Sequence, residues 1–155
     1  MTGLNTAAAA TGSIEQNACA QNANVTLLYN AYKHWSESKG ADLDGWRAIS
    51  AEGIKFGSLS AGAAHVANMS GGGRESVRAF FENVAKHWSL LSFHADEFIA
   101  NENVVVMRGR ISWQNKRTGK VFSSAKMDYW RFCDGKAVEF FEACDTAGIQ
   151  AAASG

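Results

Sequence analysis

The residues best suited to chemistry lie in the last quarter of the chain, from Lys126-Met127-Asp128-Tyr129-Trp130-Arg131-Phe132 through Asp134-Gly135 to Asp145. Asp134-Gly135 is a two-residue turn signal, because a type I′ turn needs positive φ at both central positions. A hairpin closed there sets Cys133 opposite Lys136, Trp130 opposite Glu139 and Asp128 opposite Phe141. Strict alternation then gathers Asp128, Trp130, Phe132, Ala137, Glu139, Phe141, Ala143 and Asp145 on one face. A carboxylate among large apolar groups resists ionisation and holds its proton longer. That suits acid–base work or hydrogen-bond donation to an oxyanion. The same acids could equally lie on a solvated sheet face.

Asp128, mid-strand between apolar neighbours, is the first catalytic candidate; its structural alternative is pairing with Lys126 or Arg110 at the sheet surface. Asp145, at a strand end, could act as a general base in a pocket mouth, or Asp145-Thr146 could cap a C-terminal turn. His94 titrates in the useful range near neutral pH and shares a strand face with Ser92, Asp96 and Phe98. Tyr29 and Tyr32 lie on the apolar stripe of a helix, where either phenol could reach a ligand, and Tyr32 is taken as a catalytic candidate. Arg108 and Arg110 share a face around Gly109 and fit surface pairing. His34 and His87 fall on polar helix sides and His65 in a loop. No histidine pair has metal-ligand spacing, so no metal is expected. Gly71-Gly72-Gly73 precedes a helix, but no Lys-Ser/Thr follows and no strand leads in, so it reads as a flexible loop that could act as a lid.

These residues need elements to position them. Val25, Leu28, Tyr29, Tyr32 and Trp35 recur at helical spacing between Asn24 and Lys39. Lys39-Gly40 ends that helix, and Asp42 can cap a short one over Leu43–Ile49 with Trp46 and Ile49 inward. Ile54-Lys55-Phe56 is a strand candidate, and Gly57 to Gly73 a small-residue loop. Arg74–Trp88 is a second amphipathic helix, with Val77, Phe80, Phe81, Val84 and Trp88 on its apolar side. The period then changes to two, predicting strands at Leu90–Ile99, Val104–Trp113, Val121–Trp130 and Ala137–Asp145. Helices first and an antiparallel meander afterwards is an α+β order. A sheet curling over the helices leaves a cone, lined by Tyr29, Trp35, Phe56, Phe81, Trp130 and Phe141, which fits a small apolar or aromatic ligand.

Composition narrows the classes further. The chain has 155 residues and zero formal charge, enough for one domain with a core and without the basic footprint of a nucleic-acid binder. No apolar run is long enough to span a membrane. Residues 1–23, rich in Ala, Asn, Thr and Gly, read as a flexible tail, residues 24–150 as one domain, and residues 151–155 as a C-terminal tail. Three cysteines, Cys19, Cys133 and Cys144, leave one unpaired in any disulfide scheme and suggest a reducing, cytoplasmic setting.

The order Met127-Asp128-Tyr129-Trp130-Arg131-Phe132, Asp134-Gly135-Lys136, Phe140-Phe141 and Asp145-Thr146-Ala147-Gly148 resembles the C-terminal strands of the nuclear transport factor 2-like superfamily, nearest its SnoaL-like and ketosteroid isomerase-like branches. The resemblance covers about Asn24 to Ile149. It implies a curved antiparallel sheet wrapped around N-terminal helices in a conical, cystatin-like α+β barrel. It also implies no cofactor and a homodimer formed through the outer sheet face. Asp128 matches the oxyanion-hole aspartic acid of ketosteroid isomerases, and Tyr29 or Tyr32 their tyrosine. Their general base has no counterpart, because Lys55-Phe56-Gly57-Ser58-Leu59 holds no carboxylate. Asp145 resembles the terminal-strand acid of SnoaL-like cyclases and limonene epoxide hydrolases. The Arg-x-Asp of those hydrolases is replaced by Arg108-Gly109-Arg110.

Two readings follow. One is a cofactor-independent isomerase, cyclase or dehydratase acting on a small apolar carbonyl compound. In it Asp145 or His94 takes a proton, and Asp128 with a tyrosine stabilises the enolate. The other is a noncatalytic ligand-binding or dimerisation module on the same scaffold.

Overall fold

The computed structural model describes residues 8–59 and 72–155, with side chains from residue 23 onward within those ranges. His65, the side chain of Cys19, and all but the ends of the Gly57–Gly73 loop, with the lid reading attached to it, lie outside the described residues.

Helix α1 (Ala8–Glu37) takes in much of the segment whose composition suggested a tail. Leu28, Ala31, Tyr32 and Trp35 form its buried stripe, the i, i+3, i+4, i+7 spacing of one helix face. Tyr29 falls off that stripe and is 54% exposed. The helix ends where Lys39 and Gly40 take φ of 55° and 81°, with the Gly40 amide bonded to the Trp35 carbonyl. Helix α2 (Asp44–Ile49) turns Trp46 and Ile49 into the core. Asp42 serves its start by accepting from the Asp44 amide, while Leu43 occupies the cap position without a side-chain bond. Strand β1 (Ser50–Ser58) and helix α3 (Arg74–His87) follow. Val77, Phe80 and Val84 are the buried side of α3.

The remaining strands are β2 (Trp88–Asn101), β3 (Val104–Asn115), β4 (Val121–Cys133) and β5 (Lys136–Cys144), and they form one sheet in the order β1-β5-β4-β3-β2. The meander β2 to β5 is antiparallel, but β1 runs parallel to β5, so the sheet is mixed rather than wholly antiparallel. Buried Asn115 shapes the β3–β4 turn by accepting from the amides of Arg117 and Thr118. Asp134 and Gly135 have φ of 49° and 72°, as a type I′ turn requires.

Residues 151–153 are not a tail. They complete α4 (Thr146–Ala153), which buries Ile149, Ala152 and Ala153. Thr118 Oγ1 donates to the Ala152 carbonyl at 2.6 Å and ties the helix to the β3–β4 turn. The concave sheet face, with α1, α2 and α3 against it, encloses the core.

Candidate functional site

Strand β4 supplies the centre of the site. Its even-numbered residues Phe122, Lys126, Asp128, Trp130 and Phe132 are buried, and they alternate with exposed or half-buried odd ones. Asp128 is 1% exposed. Its register partner is Glu142, not Phe141, and that of Trp130 is Phe140, not Glu139. The cause is a bulge: Phe132 pairs Ala137 while Arg131 pairs Glu139, leaving Val138 as the extra residue. Strict alternation would have set the charge of Glu139 against the Trp130 indole. The bulge instead turns Phe140 inward, its ring centroid 4.3 Å from that of Trp130, and lets Glu139 pair with Arg131 outside. It also reverses the next three residues. Phe141 is 40% exposed, and Glu142 points in.

Aromatic packing fixes the phenol opposite. The Tyr32 ring stacks on Phe93 at 5.0 Å and meets the Trp46 edge at 4.7 Å. Held there, Tyr32 donates its hydroxyl hydrogen to Asp128 Oδ2 at 2.5 Å and accepts from Trp130 Nε1 at 2.9 Å. On the other side Lys126 bridges two acids. Its Nζ lies 2.8 Å from Asp128 Oδ1 and in direct contact with Glu142 Oε2. Lys126 is the charged partner of Oδ1. Ser58 Oγ donates to Glu142 Oε1 at 2.6 Å. A chain of polar contacts therefore runs from the β1 edge through Glu142, Lys126 and Asp128 to Tyr32 and Trp130.

Electrostatics follow from this burial. Removal from water pushes Asp128 up to about 6, helped by the Glu142 charge and opposed by Lys126 and the Tyr32 hydrogen bond. Burial, then the Asp128 charge, holds Tyr32 well above the usual phenol range. For Lys126, burial favours the neutral amine, but the two carboxylates prevail and raise its pKa. Cys144, which also lines the cavity, is pushed up to about 11 chiefly by burial and stays a thiol.

These groups form one wall of a cavity of about 80 Å³, whose other walls include Trp35, Trp46, Phe56, Phe80, Phe81 and Phe140. Trp46, Ser50, Val77 and Phe81 also border a polar groove of about 380 Å³ between α2 and α3. Of the residues singled out in the sequence, Asp128, Tyr32, Trp35, Phe56, Phe81 and Trp130 come together around this cavity. Four do not. Tyr29 faces outward on α1, and Phe141 is turned out by the bulge. His94 is exposed on the outer sheet face opposite Arg110. Asp145 caps α4, its Oδ1 accepting from the Gly148 amide at 3.0 Å, and it is exposed. Arg108 and Arg110 are spent on Glu97 and Asp96 at the surface.

The pairing of Asp128 with Lys126 expected at the sheet surface is instead buried inside the site, and Glu142 joins it unforeseen. Lys126 and Asp128 stand two residues apart on β4, with Glu142 across from Asp128 on β5. Alternation from Asp128 already places Lys126 inside; only the bulge reveals Glu142. Among the described residues, no group of His, Cys, Asp and Glu could hold a metal ion, and no helix is long and apolar enough to cross a membrane.

The model of the SnoaL-like domain family matches residues 30–140. No curated protein is similar to the chain at a significant level. Among solved structures, a nuclear transport factor 2-like protein of unknown function from Burkholderia pseudomallei K96243 superposes with a TM-score of 0.71 at 22% identity, covering 86% of this chain and 98% of that one. A nuclear transport factor 2-like protein from Burkholderia thailandensis E264 gives a TM-score of 0.70 at 25% identity, with 85% and 98% covered. A protein from Jannaschia sp. CCS1, provisionally named a SnoaL-like polyketide cyclase, gives a TM-score of 0.72 at 15% identity, with 87% and 94% covered. The chain belongs to the SnoaL-like family, on the α+β cone fold of the nuclear transport factor 2-like superfamily.

Proposed function

We propose that this SnoaL-like protein catalyses cofactor-independent proton transfer on a small apolar carbonyl compound, with Asp128 moving the proton. One observation carries the reading: a carboxyl group 1% exposed, poised at about 6, on the wall of an aromatic cavity. A group with that pKa is mostly ionised at neutral pH yet binds a proton readily, the balance an acid–base catalyst needs. Asp128 takes a proton from the carbon next to the carbonyl, and the C–H electrons move onto the carbonyl oxygen. Neutralised Asp128 is then a poorer acceptor, which frees the Tyr32 hydroxyl to turn toward the enolate oxygen. Returning the proton to another carbon gives isomerisation. Attack of the enolate carbon on a second carbonyl, with the Asp128 proton passing to the new alkoxide, gives cyclisation, and loss of a β-hydroxyl as water that carries off the Asp128 proton gives dehydration. A dry apolar cavity of about 150 Å³ takes up benzene, so the 80 Å³ here fits a small reacting group. The rest of a larger substrate would lie past Trp46 and Phe81, toward the α2–α3 groove.

The opposing reading is a noncatalytic binding module. It draws support from Lys126, which holds both cavity acids as a structural ion network would. A homodimer through the outer sheet face is part of the proposal, supported by exposed Val121, Met127 and Phe141 on that face.

The test is deuterium exchange. Small aromatic and alicyclic ketones are incubated with protein in D2O, and loss of the α-proton signal is followed by NMR. Exchange above buffer with the native protein, abolished in Asp128→Asn while ligand-induced thermal shifts persist, is expected. Ligand binding with no exchange for any ketone, or equal exchange by Asp128→Asn, overturns the catalytic reading.

A further inference from the structure

We propose that Glu142 is a positioning residue of this site: anchored by Ser58 and bridged to Asp128 through Lys126, it controls how readily Asp128 takes and releases a proton. The inference rests on the assignment of Asp128 as the proton-transferring group.

The geometry ties Glu142 to Asp128. It sits on β5 directly across from Asp128, where the bulge at Val138 brings it inward. Its two oxygens face different partners, Oε1 the Ser58 hydroxyl on β1 and Oε2 the Lys126 ammonium. Both acids lean on a single cation, so one ammonium must serve two carboxylates at close range. Neither carboxylate can be fully compensated while both are ionised, and each raises the energy of the other's charged form.

Among the described residues, the titratable groups facing Asp128 are Tyr32 from α1, Lys126 on its own strand, and Glu142 and Cys144 from β5. The flanking residue of β3 is Met107, and the nearby side chain of α2 is Trp46. Lys126 is a cation and Glu142 an acid, and they act on Asp128 in opposite senses. Removing each must therefore move Asp128 in opposite directions. Loss of the Glu142 charge makes Asp128 easier to ionise; loss of the Lys126 charge makes it harder. A residue that only filled space would not produce that reversal.

The experiment is a carboxyl-carbon NMR titration of protein labelled at aspartate, with the Asp128 resonance assigned by its absence in Asp128→Asn. No substrate is needed. In the native protein Asp128 is expected to titrate near 6. In Glu142→Gln, which keeps size and hydrogen-bonding capacity, the midpoint is expected to fall by about one pH unit. In Lys126→Met it is expected to rise by a similar amount, and Glu142→Gln carries the test by itself if Lys126→Met does not fold. A midpoint unmoved or raised in Glu142→Gln overturns the role given to Glu142 while leaving Asp128 in place. A native midpoint at the ordinary carboxylate value removes the premise instead, and with it the proposed function.

Discussion

Replacing Tyr32 by Phe removes one oxygen and leaves the ring packing intact, so its effect isolates two hydrogen bonds. The hydroxyl donates to Asp128 at 2.5 Å and accepts from the Trp130 indole at 2.9 Å, and all three groups are buried. A hydrogen bond to a charged acceptor is worth roughly 1.5–3 kcal/mol, and a buried donor left unpaired costs roughly 1–3 kcal/mol. Asp128 retains Lys126 as a partner, so the two effects together give a destabilisation of about 2–4 kcal/mol at pH 8. The effect depends on pH. Below about 6 Asp128 is protonated, and the bond to a neutral carboxyl is worth only about 1 kcal/mol. The penalty at pH 4.5 is therefore smaller than at pH 8 by about 1 kcal/mol. Urea unfolding of both proteins at the two pH values measures this, with the midpoint moving and the slope unchanged. A loss under about 1 kcal/mol at pH 8, or an equal loss at both pH values, would show that the Tyr32–Asp128 bond does not hold as described.

Three more outcomes are expected. Asp128 has a folded pKa raised to about 6 from an ordinary value of 3.8, so the folded state keeps a proton that the unfolded chain has lost between those values. The native protein should thus lose stability relative to Asp128→Asn as pH rises from about 4 to about 6, by roughly 3 kcal/mol at about 1.4 kcal/mol per pH unit. Parallel urea-unfolding curves for the two proteins across that window would contradict the raised value. Asp145→Ala should lower stability by about 1 kcal/mol through loss of the α4 cap and leave ketone binding and exchange unchanged; lost exchange in a folded variant would return Asp145 to the chemistry. Gly109→Ala should fail to accumulate as folded protein, because a Cβ there would lie 2.3 Å from the His94 carbonyl oxygen across the β2–β3 pair. A native-like circular dichroism spectrum and melting temperature would show that the two strands can part.

Much of the architecture was legible in local pattern. The stripe Leu28, Tyr32, Trp35 and the turn at Asp134-Gly135 each follow from one element's own geometry. Helical spacing marks a buried face, and positive φ selects the turn. The burial of Asp128 and the placing of Tyr32 on an inner face were readable in the same way. So was the pairing of Asp128 with Lys126, two residues away on the same strand face, although it lies inside rather than at the sheet surface.

What local pattern could not supply was anything decided by a competition between elements. The bulge at Val138 arises because burying Phe140 against Trp130 is favoured over burying Glu139 there. A single extra residue then exchanges Phe141 for Glu142 at the cavity, since side chains on a strand have a period of two. Asp145 stays outside because α4 begins at it and its carboxylate is committed to an amide of that helix. The identity of the chemical groups was written in the chain. Which of them share one buried cavity was decided by packing, because only tertiary contacts set strand register, and register determines which carboxylates are removed from the surface.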